Sequence, residues 1–388
     1  MKKFLSVFMC VILLLTLIGC GGQHSNQPDN NKQDASTNTS TNTSTNSSSN
    51  LNSNSSTNSS SNLNSNSNTN SNLSSDTNTN SSSEIVSGNK VFKLTRAKGV
   101  TSFVDPRVVV VCWGDSITQG MAMAPGFTYP QHLQDGIGSQ YRVLNAGVPG
   151  ETSDAILSRA NAVEICLTKG VTFAKGERQV DLDRNLFKLI GANSPLTYKG
   201  FGNQLKLSNV IIDGKPYTIE FENGETYDVG IYRLTRKDVS SALTIPAGTK
   251  VKFDYSPQYE KVHCNVILFG ANDGGQGVEA LIKKYKKLTA LNENYIVIVP
   301  FYGTDYSKEF KEAFGDKALN VREYFIKRAH VDYEVDLSEK DKGLVARGRI
   351  PSMYFYKENE NDCHLNEKGY KVLGDQVYKK GVELGYWK

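Results

Sequence analysis

The spacing of apolar residues predicts a parallel sheet interleaved with helices at both ends of the folded part of the chain. Short continuous apolar runs, which are typical of strands buried on both faces, alternate with turn residues and with segments of helical spacing. This order is the βαβ rhythm of an α/β protein. The predicted strands are residues 107–113, 141–146, 262–269, 295–300 and 318–321. The predicted helices are residues 131–136, a segment starting near Thr152 or Ser153, a segment ending near Leu291, residues 323–329 and a last helix near the C-terminus.

Residues 166–261 interrupt this rhythm with alternating apolar and polar positions, which is the period of half-buried antiparallel strands. Residues 217–221 and 227–232 are two such segments, and Glu222-Asn223-Gly224-Glu225 between them is a strong hairpin signal. We therefore interpret this stretch as a small antiparallel β subdomain inserted into an α/β core. The core consists of residues 86–165 and 262–388.

The first 85 residues have the composition of an export signal and a tether. Residues 1–20 contain Lys2 and Lys3 and then an apolar run that is too short and wrongly flanked for a stable membrane span. The run ends in Leu17-Ile18-Gly19-Cys20, which resembles the lipobox of bacterial lipoproteins and implies cleavage before Cys20 and lipidation of that residue. An ordinary secretory signal with a chance cysteine is the alternative. Residues 21–85 are almost entirely Asn, Ser and Thr, which predicts a disordered tether.

The net charge argues against a nucleic-acid-binding protein, and the cysteine spacing argues against a fold held together by disulfides or zinc. The formal net charge of +4 over 388 residues is small, so nothing indicates a nucleic-acid partner. Beyond the signal region, the cysteines are too scattered for a disulfide framework and lack the spacing of a zinc site. Buried free thiols are therefore expected, with a Cys166–Cys264 bridge closing the insertion as the alternative. These cysteines are Cys112, Cys166, Cys264 and Cys363.

Four turns carry the residues that could perform chemistry. Ser116 follows the first predicted strand, Gly150 follows the second, Asn272 follows the third, and His364 lies in a late turn. Open α/β sheets bind ligands at the carboxyl ends of their strands. Acyl transfer from an ester needs a nucleophile, a base and donors aimed at the developing oxyanion. Ser116 and His364 could supply the first two. The donors would be the backbone N–H groups of Ser116 and Gly150 and the amide of Asn272. A role for Ser116 as a simple helix cap is the alternative.

These four turns resemble, in the same order, sequence blocks of the GDSL, or SGNH, hydrolases. Ser116 matches block one, Gly150 block two, Asn272 block three and His364 block five. The resemblance covers about residues 100–165 and 262–388, and it implies a flavodoxin-like three-layer α/β/α fold. It also implies ester hydrolysis through an acyl-enzyme, without a metal or cofactor. The Gly-x-Ser-x-Gly elbow of the α/β-hydrolases is absent from the sequence, which disfavours that fold. Further similar segments are Tyr129-Pro130, Asn145-Ala146-Gly147 and residues 365–370.

The histidine block departs from the family at the carboxylate that orients the imidazole. The family has an aspartate three residues before the histidine, where this chain has Asn361, and Asp362 is only two residues before His364. Three arrangements are open: Asp362 reaches the ring, Asn361 accepts the ring proton through its carbonyl, or the site works as a dyad. Asp362 is the preferred candidate. Asp115 and Asp273 are expected to hold turns, and Cys363 is poorly placed to act as a nucleophile.

Together these features predict a lipid-anchored, extracytoplasmic serine esterase. Display on a tether favours envelope or extracellular polymers, so O-acetyl groups on a glycan are the expected substrate. A lysophospholipase or other lipase-type esterase is the alternative. A hydrolase fold that has lost turnover and presents its β subdomain to a polysaccharide is the alternative from another class of protein.

The insertion is expected to be rooted away from this site. It leaves the core after a helix and returns at the start of a strand, which places its ends at the amino end of the sheet. From there it can help to form the site only by folding along the edge of the domain. Otherwise it is a separate binding or spacing unit, and replacing it with a short Gly/Ser link should spare the hydrolysis of small esters.

Overall fold

The computed structural model describes residues 107–121, 123–124, 126–182, 185–196, 207–222, 231–254 and 261–388, together with the backbone of two earlier strands. These strands, β1 (Ser82–Ser87) and β2 (Lys90–Thr95), pair antiparallel. The prediction that the tether extends to residue 85 is therefore wrong at its end, because Ser82 already belongs to β1. The predicted signal peptide, Cys20 and the rest of the predicted tether lie outside the described residues.

The later strands fall into three groups along the chain. The first group is β3 (Val108–Gly114) and β4 (Tyr141–Gly147). The second group is β5 (Ile165–Leu167), β6 (Val171–Phe173), β7 (Gln179–Leu182), β8 (Phe187–Leu189), β9 (Leu207–Ile212), β10 (Lys215–Glu222), β11 (Ile231–Arg236), β12 (Leu243–Ile245) and β13 (Lys250–Phe253). The third group is β14 (Val262–Leu268), β15 (Tyr295–Ile298) and β16 (Ala318–Leu319).

The helices lie around the first and third groups of strands. They are α1 (Ser116–Gln119), α2 (Tyr129–Ile137), α3 (Ser153–Arg159), α4 (Val278–Thr289), α5 (Ser307–Phe314), α6 (Val321–Lys327), α7 (Ala329–Asp332), α8 (Glu339–Ala346) and α9 (Glu367–Glu383). Among the described residues, no helix has both the length and the apolar character needed to cross a bilayer.

The first and third groups of strands form one parallel sheet, in the order β16-β15-β14-β3-β4. Counted by their order along the chain, these five strands have the arrangement 2-1-3-4-5, which is that of the flavodoxin-like doubly wound fold. The predicted fold class is therefore confirmed. Along the chain, β4 is added on one side of β3, whereas β14, β15 and β16 are added on the other side. The strand order therefore reverses between β3 and β14, and the crevice at this topological switch point is where such sheets bind ligands.

Alternate residues of β3 face two separate hydrophobic clusters. Val110 and Cys112 pack with residues of α2, α6 and α9, whereas Val109 and Val111 pack with residues of α3, α4 and α5. The sheet is thus covered on both faces, which makes the core a three-layer α/β/α structure. This double burial is the physical reason for the uninterrupted valine run in the sequence.

The predicted antiparallel insertion is present as the second group of strands. Seven of these strands form one antiparallel sheet in the order β7-β11-β10-β9-β13-β5-β8, and β6 pairs with β12. The predicted pairing of two hairpin strands is confirmed, since Tyr217 of β10 lies opposite Arg236 of β11. The second strand of this hairpin is Ile231–Arg236, so it continues past the predicted end at residue 232. Residues 227–230 of the predicted strand and the predicted turn at residues 223–225 lie outside the described residues.

The four cysteines of the folded part, Cys112, Cys166, Cys264 and Cys363, are buried and free. The alternative of a Cys166–Cys264 disulfide is therefore wrong. These two residues belong to different sheets: Cys166 lies opposite Lys250 in the insertion, and Cys264 lies beside Val110 in the parallel sheet.

Candidate active site

Ser116 is the first residue of α1, and only Asp115 separates it from the end of β3. Asp115 caps this helix, because its Oδ1 accepts a hydrogen bond of 3.0 Å from the backbone N–H of Ile117. The alternative role of Ser116 as the helix cap is therefore wrong, and its hydroxyl is left for another partner. Gly114 permits the tight turn, since a Cβ at this position would lie 2.3 Å from the carbonyl oxygen of Leu268.

The ring of His364 joins Ser116 to a carboxylate. Its Nε2 lies 2.9 Å from the Oγ of Ser116, and its Nδ1 lies 2.8 Å from the Oδ1 of Asp362. The same Oδ1 accepts a hydrogen bond of 2.9 Å from the backbone N–H of His364. Ser116 and His364 are both buried, which shields their contact from bulk water. The structure thus brings three of the predicted residues together in the hydrogen-bonding order of a catalytic triad.

Of the three arrangements left open by the sequence, the geometry matches the one that uses Asp362. Asn361 is exposed, and its backbone N–H donates to the side chain of Asn359 at 3.1 Å. The carboxylate that reaches the ring therefore stands one position closer to the histidine than in the family pattern.

Two carboxylates near Ser116 differ in their ionisation. Burial raises the pKa of Asp115 from 3.8 to about 6, although a hydrogen bond from Ile117 and the charge of His364 act in the opposite direction. Burial also tends to raise the pKa of Asp362, but hydrogen bonds from the ring and backbone of His364 outweigh it and hold this pKa below its usual value. Asp362 is therefore ionised near neutral pH and can stabilise a positively charged imidazole.

Gly150 lies in the connection between β4 and α3. The backbone N–H of Glu151 donates to the carbonyl of Val148 at 3.3 Å, and Gly150 has a φ of +73°. With Pro149 before it, these are the features of a type II turn, whose third residue needs a left-handed φ and so favours glycine. We call residues 148–151 the Gly150 turn. The backbone N–H of Val148 donates to the carbonyl of Gly114 at 3.1 Å, which ties this turn to the one that carries Ser116.

Asn272 connects the turn after β14 to the Gly150 turn. Its Nδ2 donates a hydrogen bond of 3.0 Å to the carbonyl of Glu151. A carboxamide has two N–H donors, and this hydrogen bond uses one of them. Asp273, the next residue, holds the same two segments together, because its Oδ1 accepts a hydrogen bond of 2.8 Å from the backbone N–H of Ser153. Its predicted role in holding a turn agrees with this contact.

A fully buried ion pair below the Gly150 turn was not predicted from the sequence. The Nε and Nη2 atoms of Arg159 donate to the carboxylate of Glu151 at distances between 2.6 and 3.0 Å. Nη2 also donates to the carbonyl of Ala146 at 3.0 Å, and the guanidinium lies 5.8 Å from the ring centroid of Trp113. The available signal was an arginine at the end of a short helix in which three of the six preceding residues are apolar.

The described residues contain one group that could hold a metal ion. A carboxylate oxygen of Asp362, the Sγ of Cys363 and a ring nitrogen of His364 lie within 4.8 Å of one another. The carboxylate and the ring already bond to each other, and the ring also bonds to Ser116. These residues therefore serve the triad in the observed arrangement.

Comparison with known proteins gives likenesses to solved structures only. No protein-family profile matches the chain, and no curated protein matches it. A lipase/acylhydrolase from Enterococcus faecalis is similar over 72% of this chain and 97% of its own, with 14% identity and a TM-score of 0.35. A member of the lipolytic G-D-S-L family from Veillonella parvula is similar over 71% and 97%, with 14% identity and a TM-score of 0.28. A carbohydrate acetylesterase family member from Sinorhizobium meliloti is similar over 72% and 99%, with 11% identity and a TM-score of 0.29.

These likenesses are too distant to add to the assignment of the fold, which the strand order and the two-sided sheet of this chain define. The same strand order, with Ser116 and Asn272 following the two strands that flank the switch point, agrees with the resemblance to the GDSL, or SGNH, hydrolases.

Proposed function

We propose that the protein is a serine esterase that hydrolyses carboxylic esters through an acyl-enzyme. The observation that supports this most directly is the pair of contacts that His364 makes, to Ser116 at 2.9 Å and to Asp362 at 2.8 Å. A hydroxyl that is hydrogen-bonded to an imidazole, which is in turn held by an ionised carboxylate, can be activated as a nucleophile.

In the proposed reaction, the Oγ of Ser116 attacks the ester carbonyl carbon while its proton moves to the Nε2 of His364. Asp362 stabilises the imidazolium, and the carbonyl oxygen becomes an oxyanion that accepts hydrogen bonds from the second side-chain N–H of Asn272 and from the backbone of the Ser116 and Gly150 turns. The ring then gives its proton to the departing alcohol. A water molecule repeats the sequence on the acyl-enzyme and releases the carboxylic acid.

Replacing Ser116 with alanine tests this mechanism. Ser116→Ala should abolish esterase activity on nitrophenyl esters and preserve the fold, because it removes one hydroxyl group. A fluorophosphonate should label the wild type once, at Ser116. The matched control is Ser158→Ala, a buried serine of α3 whose hydroxyl donates to the carbonyl of Ala155. Full activity in Ser116→Ala, or labelling at another residue, would contradict the mechanism.

For the substrate, we propose O-acetyl groups on an envelope or extracellular glycan. The support is the predicted tether and lipid anchor, which would display the enzyme beyond the membrane surface. Release of acetate from acetylated polysaccharides, measured beside a series of nitrophenyl esters of increasing chain length, tests this choice. A preference for long acyl chains would indicate a lipase or lysophospholipase instead. Absence of any turnover would favour a polysaccharide-binding module.

For localisation, we propose an exported protein held at the extracytoplasmic face of the membrane through lipidated Cys20. The lipobox resemblance of residues 17–20 supports this proposal. Cys20→Ser should release the protein from the membrane fraction and remove incorporation of labelled fatty acid. Continued membrane association of the Cys20→Ser protein would contradict a lipid anchor at this residue.

A further inference from the structure

The insertion and the Gly150 turn share one hydrophobic cluster. Val148, the first residue of that turn, and Ala155 of α3 are both buried in the cluster that forms the interior of the insertion. The other members come from the insertion itself and include Ile165, Leu167 and Phe253. The interior of the inserted sheet therefore extends to the carboxyl end of the parallel sheet, where the candidate active site lies.

Helix α3, which leads towards the insertion, is short compared with the parallel sheet. The seven residues of α3 rise by about 10 Å, whereas the seven residues of β4 span about 23 Å. Residues 160–164 then connect α3 to β5, the first strand of the insertion. The two ends of the insertion are joined there, since the side chain of Asn161 donates to the carbonyl of Phe253 at 2.9 Å and accepts from its N–H at 3.0 Å.

The Gly150 turn is held from three directions. Glu151 binds Arg159 from below, the carbonyl of Glu151 accepts a hydrogen bond from Asn272, and the side chain of Val148 packs in the cluster shared with the insertion. The first two contacts come from the α/β core. β4 is an edge strand of the parallel sheet, so no further strand of that sheet lies beside it in the part of the chain that the structure describes. The buried cluster that contains Val148 otherwise consists of Ala155 of α3 and residues of the insertion.

We propose that the inserted sheet positions the oxyanion-binding turn of the esterase, and that Val148 is the positioning residue through which it does so. This inference rests on the proposed function, because it assigns the Gly150 turn to the oxyanion of that reaction. Oxyanion donors act only when they are held where charge develops in the transition state. Loosening the apolar contact should therefore weaken transition-state stabilisation and leave ground-state binding of a small ester nearly unchanged. If the insertion were instead a separate, removable unit, loosening this apolar contact should leave kcat for a small ester unchanged.

Val148→Ala tests the proposal on the full-length protein, with kcat and KM measured for nitrophenyl acetate. We expect kcat to fall by about ten- to a hundredfold, since a displacement of about 1 Å at a reacting centre can cost that much, with KM within about twofold. The rate of fluorophosphonate labelling should fall in parallel. The matched control is Val297→Ala, an equal truncation at an equally buried position of β15, for which kcat should stay within about twofold of the wild type.

Leu167→Ala tests the shared cluster from the insertion, because Leu167 is fully buried in that cluster and belongs to β5. It should lower kcat with the same small change in KM, and circular dichroism identifies which variants are folded at the assay temperature. The proposal is overturned if folded Val148→Ala or folded Leu167→Ala loses no more kcat than Val297→Ala, or if the loss lies in KM alone. A wild-type protein that neither turns over esters nor reacts with the fluorophosphonate would overturn the proposed function instead.

Discussion

Replacing Asp362 with asparagine tests how the carboxylate assists His364. The Oδ1 of Asp362 accepts from two donors, the ring Nδ1 at 2.8 Å and the backbone N–H of His364 at 2.9 Å. An asparagine can satisfy both donors only with its carbonyl oxygen in that place, because its NH₂ group cannot accept a hydrogen bond. We therefore expect Asp362→Asn to keep the imidazole proton on Nδ1 and to lose only the negative charge.

The size of the effect follows from this geometry. Two unit charges about 4 Å apart interact by about 4 kcal/mol at an effective dielectric constant of about 20. The side chains of His364 and Asp362 are 11% and 8% exposed, so water screens part of this interaction. The expected loss in kcat is therefore about 10²- to 10³-fold. This is smaller than the loss of about 10⁴ in the serine-protease triad, where the substituted amide selects the wrong tautomer.

The assay is kcat/KM on nitrophenyl acetate, with Asn361→Ala as the matched control. Asn361 is the adjacent residue and is exposed, so its truncation should change the rate by less than about twofold. A loss of about 10⁴ or more in Asp362→Asn would refute the reasoning, because it would show that the amide has turned its NH₂ group towards the ring. A loss below about tenfold would show that Ser116 and His364 work as a dyad.

Three further substitutions have expected outcomes. Asn272→Ala should lower kcat by about a hundredfold or more, the usual effect of removing one oxyanion donor, and a change in KM alone would assign Asn272 to substrate binding. Glu151→Gln should reduce the free energy of unfolding by about 3 to 5 kcal/mol in urea titrations, because it leaves the Arg159 charge buried without its partner, and an unchanged midpoint would contradict this. Asp115→Asn should keep the helix cap. Because the folded-state pKa of Asp115 is raised from 3.8 to about 6, its contribution to stability is present below about pH 4 and is lost as the pH rises through 6. The unfolding free energy of Asp115→Asn relative to wild type should therefore increase by about 2.4 kcal/mol between pH 4 and pH 7, and a difference that does not vary with pH would contradict this.

The strands and helices of the parallel core could be predicted because each is indicated by the apolar pattern of its own short segment. The apolar run of β3 is buried on both faces, and the observed strand differs from the prediction by one residue at each end. Helix α6 begins at Val321, two residues before the predicted start, because the side chain of Asn320 accepts a hydrogen bond from the N–H of Glu323 and caps the helix there. The existence and approximate position of helix α6 still follow from the spacing of its apolar residues.

The details of the site depend on contacts between distant parts of the chain, which local patterns do not reveal. The choice between Asn361 and Asp362 depends on the path of a loop in which Lys357 and Glu358 both have a left-handed φ, of 53° and 51°. Nothing in those two residue types predicts such a conformation. The Glu151–Arg159 pair was missed for a related reason, since a charged residue at the end of a helix is usually solvated and its burial depends on how α3 packs on the sheet. The strand order of the insertion is likewise set by non-local pairing.

The four free cysteines of the described residues lie in separate parts of the fold, so their thiols can report on the local opening of each part. Cys166 lies within the inserted sheet, Cys112 and Cys264 lie on adjacent central strands, and Cys363 precedes the triad histidine. Burial raises the pKa of the Cys112 and Cys264 thiols, so they react with alkylating reagents only after local opening exposes them. Alkylation rates followed residue by residue would therefore give the opening free energy of each region. They would show whether the insertion opens with the core as one cooperative unit or frays before it.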